Sequence, residues 1–138
     1  MKELLCTLTG VLGAAFTGLF GGWSAGLTTL VIFMALDYLT GLLLAGVFRL
    51  SKKSSSGALE SSACWKGLVK KGITLTIVLV ACRLDILIGE NYIRDGAVIA
   101  FCVAEALSIL ENAGLMGVPI PAVITRAVEA LRAEGDAA

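Results

Sequence analysis

The chain has 138 residues, of which 57% are hydrophobic and 16% are charged, and its mean hydropathy is +0.90. One soluble domain of this size could not bury so much apolar surface, so the composition predicts a membrane protein. The formal net charge is zero, which argues against nucleic acid as a partner, and the absence of histidine excludes Ser-His and Cys-His catalysis.

The apolar segments predict an all-α integral membrane bundle of four helices. The spans fall at about residues 4–22, 27–48, 72–89 and 97–116, within a transmembrane domain over residues 1–120. Each is near the length of about 20 apolar residues that a helix needs to cross a bilayer. A three-span version, in which the glycine-rich first segment lies elsewhere, remains open.

The first span is rich in small residues. They recur every four positions at Gly10, Ala14, Gly18, Gly22 and Gly26. This spacing lets a second membrane helix approach closely, although glycine is common in membrane helices in any case. An uncharged turn around Trp23 is expected before the second span.

The second span carries Asp37 near its middle. Thr40 and Gly41 lie on the same helix face, and Gly41 with Ala45 repeats the small-residue spacing. Placing an ionisable group at such depth in a bilayer costs free energy. Asp37 is therefore expected either to be protonated and hydrogen-bonded to a neighbouring helix or to line an aqueous path.

The predicted loop 49–71 is strongly basic. Its positive residues are Arg49, Lys52, Lys53, Lys66, Lys70 and Lys71, against the single acid Glu60. Short basic loops stay in the cytoplasm, so this loop, the C-terminus and, with four spans, the N-terminus are predicted to be cytoplasmic. Binding to anionic lipid or nucleic acid is the alternative explanation of the charge.

The third span contains Arg83 and Asp85, which point to nearly opposite faces of a helix. Arg83 therefore needs another partner. Asp37 or Glu105 would serve at a similar depth, or the Arg83 side chain would extend to the outer interface.

The fourth span carries a polar face. Glu105, Ser108, Glu111 and Asn112 fall within an arc of about 120°. The four predicted spans then contain four acidic residues and one basic residue. The surplus acids are either protonated or sheltered by helices that assemble around a hydrophilic interior. The candidates for lining that interior are Asp37, Thr40, Arg83, Asp85, Glu105, Ser108, Glu111 and Asn112.

Residues 121–138 are predicted to form a short amphipathic helix on the inner membrane surface, with a disordered tail from Gly135. Pro119 ends the preceding helix and Pro121 opens this one. No metal, cofactor or disulfide is expected from the four cysteines, because their spacing is not that of a metal site or a close pair.

Several motifs resemble the phage holin family that also contains toxin-secretion holins. They are Leu36-Asp-Tyr-Leu-Thr-Gly41, Gly67-Leu-Val-Lys-Lys71, Asp85, Glu105-Ala-Leu-Ser-Ile-Leu-Glu-Asn-Ala113 and Gly117-Val-Pro-Ile-Pro121. The similarity covers residues 27–125, and Ala104 departs from the Asn expected before Glu105.

The resemblance implies a non-enzymatic protein of the bacterial cytoplasmic membrane. Such a protein associates with membrane lipid and with copies of itself. At a set time it opens lesions that release a cell-wall hydrolase (endolysin) and lyse the host, and in some relatives a toxin is released instead.

Two other classes of protein also use intramembrane acids. An ion- or proton-coupled transporter subunit is the main alternative, although no internal repeat of the kind that many transporters carry is visible. An intramembrane enzyme with an Asp37 and Asp85 dyad is disfavoured, because neither residue has a flanking catalytic signature.

Overall fold

The structure is a computed structural model that describes residues 1–137, and its regular secondary structure over that range is entirely helical. The helices are α1 (Lys2–Leu19), α2 (Ala25–Leu43), α3 (Ser61–Ile88), α4 (Tyr92–Leu115) and α5 (Ala122–Ala137). A π-helical turn over Leu44–Phe48 extends α2. The predicted all-α architecture is confirmed in this part of the chain.

Two helices in the described range are long and apolar enough to cross a membrane. They are Ala25–Phe48 and Tyr92–Leu115, which correspond to the predicted second and fourth spans. The charged residues of α3 interrupt its apolar sequence, and α1 begins with Lys2 and Glu3. Membrane crossing by α1 and α3 stays a prediction.

Helix α4 is the centre of the bundle, since α2, α3 and α5 all pack against it and α2 and α3 touch each other only sparingly. Apolar residues at helical spacing on α2 and α4 face each other and α3. The buried apolar core consists of Phe20, Leu27, Leu30, Met34, Val78, Cys82, Val98 and Cys102. Two of the four cysteines are thus small core side chains.

The small-residue ridge predicted from Gly10 to Gly26 is divided by the end of α1. This helix stops at Leu19, and Gly22 adopts a φ of 101° in the following turn, a conformation that favours glycine. Gly26 belongs to α2, where an added Cβ would lie 3.1 Å from Val98 Cγ1. Gly10 and Gly18 stay on the surface of α1, a helix without a buried residue of its own.

The basic segment is a loop over only half of its predicted length. Helix α3 begins at Ser61 rather than Gly72, so Lys66, Lys70 and Lys71 lie on a helix. Lysine is a good helix former, which allows the helix to extend beyond its apolar part.

Glu60 forms hydrogen bonds within the remaining loop, residues 49–60. Its carboxylate accepts hydrogen bonds of 3.0 Å from the hydroxyls of Ser55 and Ser56. The hydrogen bond from Ser56, followed by that from Ser55, keeps the pKa of the Glu60 carboxyl below its usual value. Glu60 therefore stays ionised at neutral pH, and its ordering effect on the loop is lost only as the pH falls through this lowered pKa.

The predicted amphipathic helix is present as α5, but it folds back along α4. An added Cβ on Gly135 would lie 3.3 Å from the Ile99 side chain, so the two helices form an antiparallel hairpin. Val128 supplies the buried apolar contact. The predicted tail from Gly135 is helical through Ala137, and Ala138 lies outside the described residues.

Asp85 joins the end of α3 to the start of α4. Its carboxylate accepts the backbone N–H groups of Ile93 at 3.1 Å and Arg94 at 2.8 Å, in the first turn of α4. Helix N-termini carry unpaired N–H groups and partial positive charge, so a carboxylate there is stabilising. Asp85 is only 4% exposed.

Replacing Asp85 with alanine should destabilise the fold, because two sheltered N–H groups lose their acceptor. The expected loss is about 1–3 kcal/mol of unfolding free energy. SDS titration of the micelle-bound protein, followed by circular dichroism, measures it. Asp95→Ala is the control, since its 58% exposed side chain pairs with Arg94 at the surface and should contribute about 0–1 kcal/mol. Equal losses in the two variants would contradict the role of Asp85.

Candidate functional site

A buried ion triad joins the three central helices. Lys71 Nζ on α3 lies 2.7 Å from Asp37 Oδ2 on α2 and 2.6 Å from Glu105 Oε2 on α4. The three side chains are 15%, 7% and 14% exposed. Charge-assisted hydrogen bonds of this length are strong, particularly where water is scarce.

Lys71 reaches the two acids because its side chain is long. It lies 17 residues before Ile88, the end of α3, whereas Glu105 lies 13 residues after Tyr92, the start of α4. At about 1.5 Å per residue, the Lys71 backbone is about 6 Å farther from the α3–α4 turn than that of Glu105. The four methylene groups of the lysine cover this difference and pass through apolar surroundings.

Asn112 extends the triad towards the far end of α4. Its Nδ2 donates to Thr40 Oγ1 at 3.0 Å and lies 3.4 Å from Asp37 Oδ1. The Thr40 hydroxyl in turn donates to the Asp37 carbonyl at 3.1 Å. An added Cβ on Gly41 would lie 3.8 Å from Asn112 Nδ2, so Asn112 packs close to the α2 backbone. Asp37, Thr40, Lys71, Glu105 and Asn112 together form the polar cluster.

The polar cluster holds two acids and one base. With all three ionised it carries one surplus negative charge, which a proton or surrounding water would relieve. Every buried side-chain nitrogen or oxygen atom in the described chain has a hydrogen-bond partner. The arrangement therefore fixes how three helices meet, and its charge depends on protonation. No group of three or more Cys, Asp or Glu side chains among residues 1–137 is placed to hold a metal ion.

The suggested pairing of Arg83 with Asp37 or Glu105 is wrong. Both acids pair with Lys71, and Arg83 is exposed. Arg83 follows Lys71 by 12 residues, which at about 100° per residue turns it roughly 120° away from the inward face of α3. Asp85 does point inward, but at the α3–α4 turn, away from the polar cluster.

The four residues of the predicted polar face of α4 do not all lie in the same environment. Glu105 and Asn112 are in the polar cluster, and Ser108 is half-buried on the same side of the helix. Glu111 is 58% exposed and pairs with Lys52 at 3.2 Å. This surface pair links the 49–60 loop to α4, and such exposed pairs contribute at most about 1 kcal/mol.

Lys71 is the central residue that sequence reasoning missed, because the basic segment was predicted to be a loop. Two signals pointed to it. The predicted spans held more acids than bases, and a nearby lysine could pair with the surplus acids. Lys66, Gly67, Lys70 and Lys71 also follow the three- and four-residue spacing of one helix face, which places the start of the helix upstream.

Lys71→Met should destabilise the fold by about 3–5 kcal/mol, because it leaves two facing acids without a cation. Addition of Asp37→Asn and Glu105→Gln to the same chain should restore much of the loss. Unfolding by SDS in micelles measures both effects. Lys70→Met is the control, since its exposed side chain should contribute about 0.5 kcal/mol or less. Wild-type stability of Lys71→Met would show that the triad does not hold the helices.

Comparison with known proteins gives a consistent family. The model of the bacteriophage holin family matches residues 14–133. An uncharacterized protein of Clostridium perfringens strain 13 is 37% identical over 132 residues, covering 93% of this chain and 92% of the relative. A second uncharacterized protein of Clostridium perfringens is 38% identical over 122 residues, covering 87% and 86%.

A phage protein also matches. The probable holin of Bacillus phage phi105 is 32% identical over 111 residues, which cover 80% of this chain and 76% of the phage protein. No solved structure matches the chain. The family model spans most of the chain, including all five residues of the polar cluster, and two helices of the structure have the length and hydropathy of membrane spans. The chain is therefore a membrane protein that belongs to the bacteriophage holin family.

Proposed function

We propose that this protein assembles with copies of itself in the bacterial cytoplasmic membrane and opens lesions through which a cell-wall hydrolase leaves, so that the host lyses at a set time. In a toxin-producing host, a toxin would leave by the same route. The observation that carries the proposal is the polar cluster, which joins α2, α3 and α4 beside the apolar core. Membership in the holin family supports this role over that of a transporter subunit.

The proposal includes four membrane spans, with α1 and α3 as spans besides α2 and α4. Helix α1 has 18 residues, a length of about 27 Å, which is close to the roughly 30 Å hydrocarbon core. The mainly apolar part of α3, residues 72–88, is of similar length; Lys71 precedes it, and its charged residues Arg83 and Asp85 lie near its outer end. The basic residues 49–71 then lie on the cytoplasmic side, as the positive-inside rule requires.

Self-association is supported by the apolar surface that a single chain leaves open. Helix α1 has no buried residue, and the surface next to Gly10 and Gly18 is unoccupied within the chain. Small residues at this spacing favour close helix contacts in a membrane. We assign α1 to contacts between copies, while α2, α3 and α4 hold each copy together.

The lesion would form when polar side chains exchange their partners within one chain for water shared between copies. Asp37 and Glu105 are held by one lysine in the single chain, so one negative charge is left over. A shared aqueous interior accommodates that charge better than lipid does. Thr40, Ser108 and Asn112 would line the same interior, and Asp85 would stay at the outer end to hold the start of α4.

Reporter fusions test the topology. With four spans, fusions at residue 1 and within residues 49–60 should both report a cytoplasmic position. Neutralising the exposed residues Lys52, Lys53, Lys66 and Lys70 together should weaken this orientation, because the bias depends on positive charge. A fusion at residue 1 that reports an external position, with the loop internal, would replace four spans by three.

Glu105→Gln should delay or abolish lysis while the protein remains in the membrane. Glutamine keeps the size of the side chain but removes the surplus charge, so the single-chain bundle becomes easier to keep in lipid. The measurement is culture density and membrane potential after induction, in cells that also make a cytoplasmic cell-wall hydrolase. Glu129→Gln on the exposed face of α5 is the matched control. Unchanged timing of Glu105→Gln at equal protein level would contradict a functional Glu105.

A further inference from the structure

A pocket of about 690 Å³ lies beside the polar cluster, between α2, α3 and the 49–60 loop. It exists because α2 and α3 both pack on α4 and touch each other little. Small residues of the two helices, Gly41, Ala45 and Gly67, belong to its lining. Asp37, Lys71 and Glu105 close it on one side. We call this space the loop pocket.

Three lysines without a salt-bridge partner among residues 1–137 line the loop pocket. Lys66 and Lys70 project from one face of α3, and Lys53 comes from the loop. Unlike Lys71, none of these three lysines forms a salt bridge within residues 1–137. Ammonium groups clustered in this way are suited to a phosphate, which carries negative charge and accepts several hydrogen bonds.

The acids that line the loop pocket do not cancel this charge. Asp37 and Glu105 already share Lys71. Glu60 is the one carboxylate at the opening, and two serine hydroxyls bind it there. With all of these groups ionised, the four lysines of the lining outnumber its three acids by one positive charge.

Much of the remaining lining of the loop pocket is apolar. Leu42, Leu59 and Val69 contribute to it, together with Trp65, which is 67% exposed. Tryptophan is typical of the level at which lipid headgroups meet acyl chains. A free phosphate would use only the lysines, whereas a lipid would use both the lysines and the apolar side.

We propose that the loop pocket binds one anionic phospholipid, with its phosphate between Lys53, Lys66 and Lys70 and its acyl chains along Trp65 and Val69. The cytoplasmic leaflet, which the basic loop faces in the proposed topology, carries negative surface charge. The inference depends on that insertion but not on lesion formation. A bound lipid would bridge α2, α3 and the loop at the cytoplasmic end of the bundle.

Trp65 fluorescence tests the proposal directly. The chain has two tryptophans, so Trp23→Phe in the full-length protein leaves Trp65 as the single reporter. The protein is placed in nanodiscs of phosphatidylcholine with a rising fraction of phosphatidylglycerol. We expect a saturable shift of the Trp65 emission with phosphatidylglycerol, and lipid that stays bound to the protein in native mass spectrometry.

Lys66→Gln with Lys70→Gln should weaken this binding by roughly 10- to 30-fold, because two cations near the phosphate are lost. Both side chains are exposed, so the fold should survive, and circular dichroism checks this. Arg126→Gln with Arg132→Gln is the matched control, since it removes the same charge from α5, away from the pocket. The control should keep wild-type affinity.

Two results would overturn the proposal. Equal weakening in the lysine and arginine variants would mean general attraction to a charged surface rather than a site. An equal Trp65 response to soluble glycerol phosphate would assign the pocket to a soluble phosphate compound instead of a lipid. Failure to lyse cells, with selective lipid binding intact, would count against the proposed lesions and leave the lipid site standing.

Discussion

The bundle depends on one ammonium group shared by two carboxylates in an apolar interior. Because Lys71 contacts both Asp37 and Glu105, a rotation or shift of α2, α3 or α4 would separate at least one charged pair. Apolar packing alone tolerates such shifts, since one hydrophobic contact can replace another. Breaking a sheltered ion pair leaves an uncompensated charge. The triad therefore fixes both the axial position and the rotation of the three helices relative to one another.

The remaining polar contacts are distributed along α4, the helix on which the others pack. Asp85 binds its first turn and Glu105 holds its middle, while Asn112 contacts α2 and Glu111 meets Lys52 of the loop near its last turn. The surfaces between these contacts are apolar. Polar bonds thus specify the alignment, while the apolar core supplies most of the contact area.

The proposed holin role and the stability of a single chain draw on the same side chains. In one copy, the side chains of the polar cluster form hydrogen bonds and ion pairs with one another. These contacts favour a bundle whose interior excludes water. A lesion requires those groups to face water shared with other copies, so the ion pairs of the triad oppose opening while its surplus negative charge favours it. A lipid in the loop pocket would add to the same opposition, because it would join α2 and α3 where they are least in contact. Membrane composition would then influence when the assembly opens.

The sequence by itself determined the helical class, the two strongly apolar spans and the presence of an acidic face, because hydropathy and helical spacing are local properties. It also indicated that the predicted spans hold more acids than bases. Only the tertiary structure decided that Lys71 pairs with two of these acids, that Arg83 faces outward, and that Asp85 caps α4. The pairing depends on where α3 begins and on how far a lysine side chain extends between helices. Those quantities arise from packing over more than 30 residues of chain, with Lys71 separated from both Asp37 and Glu105 by 34 positions.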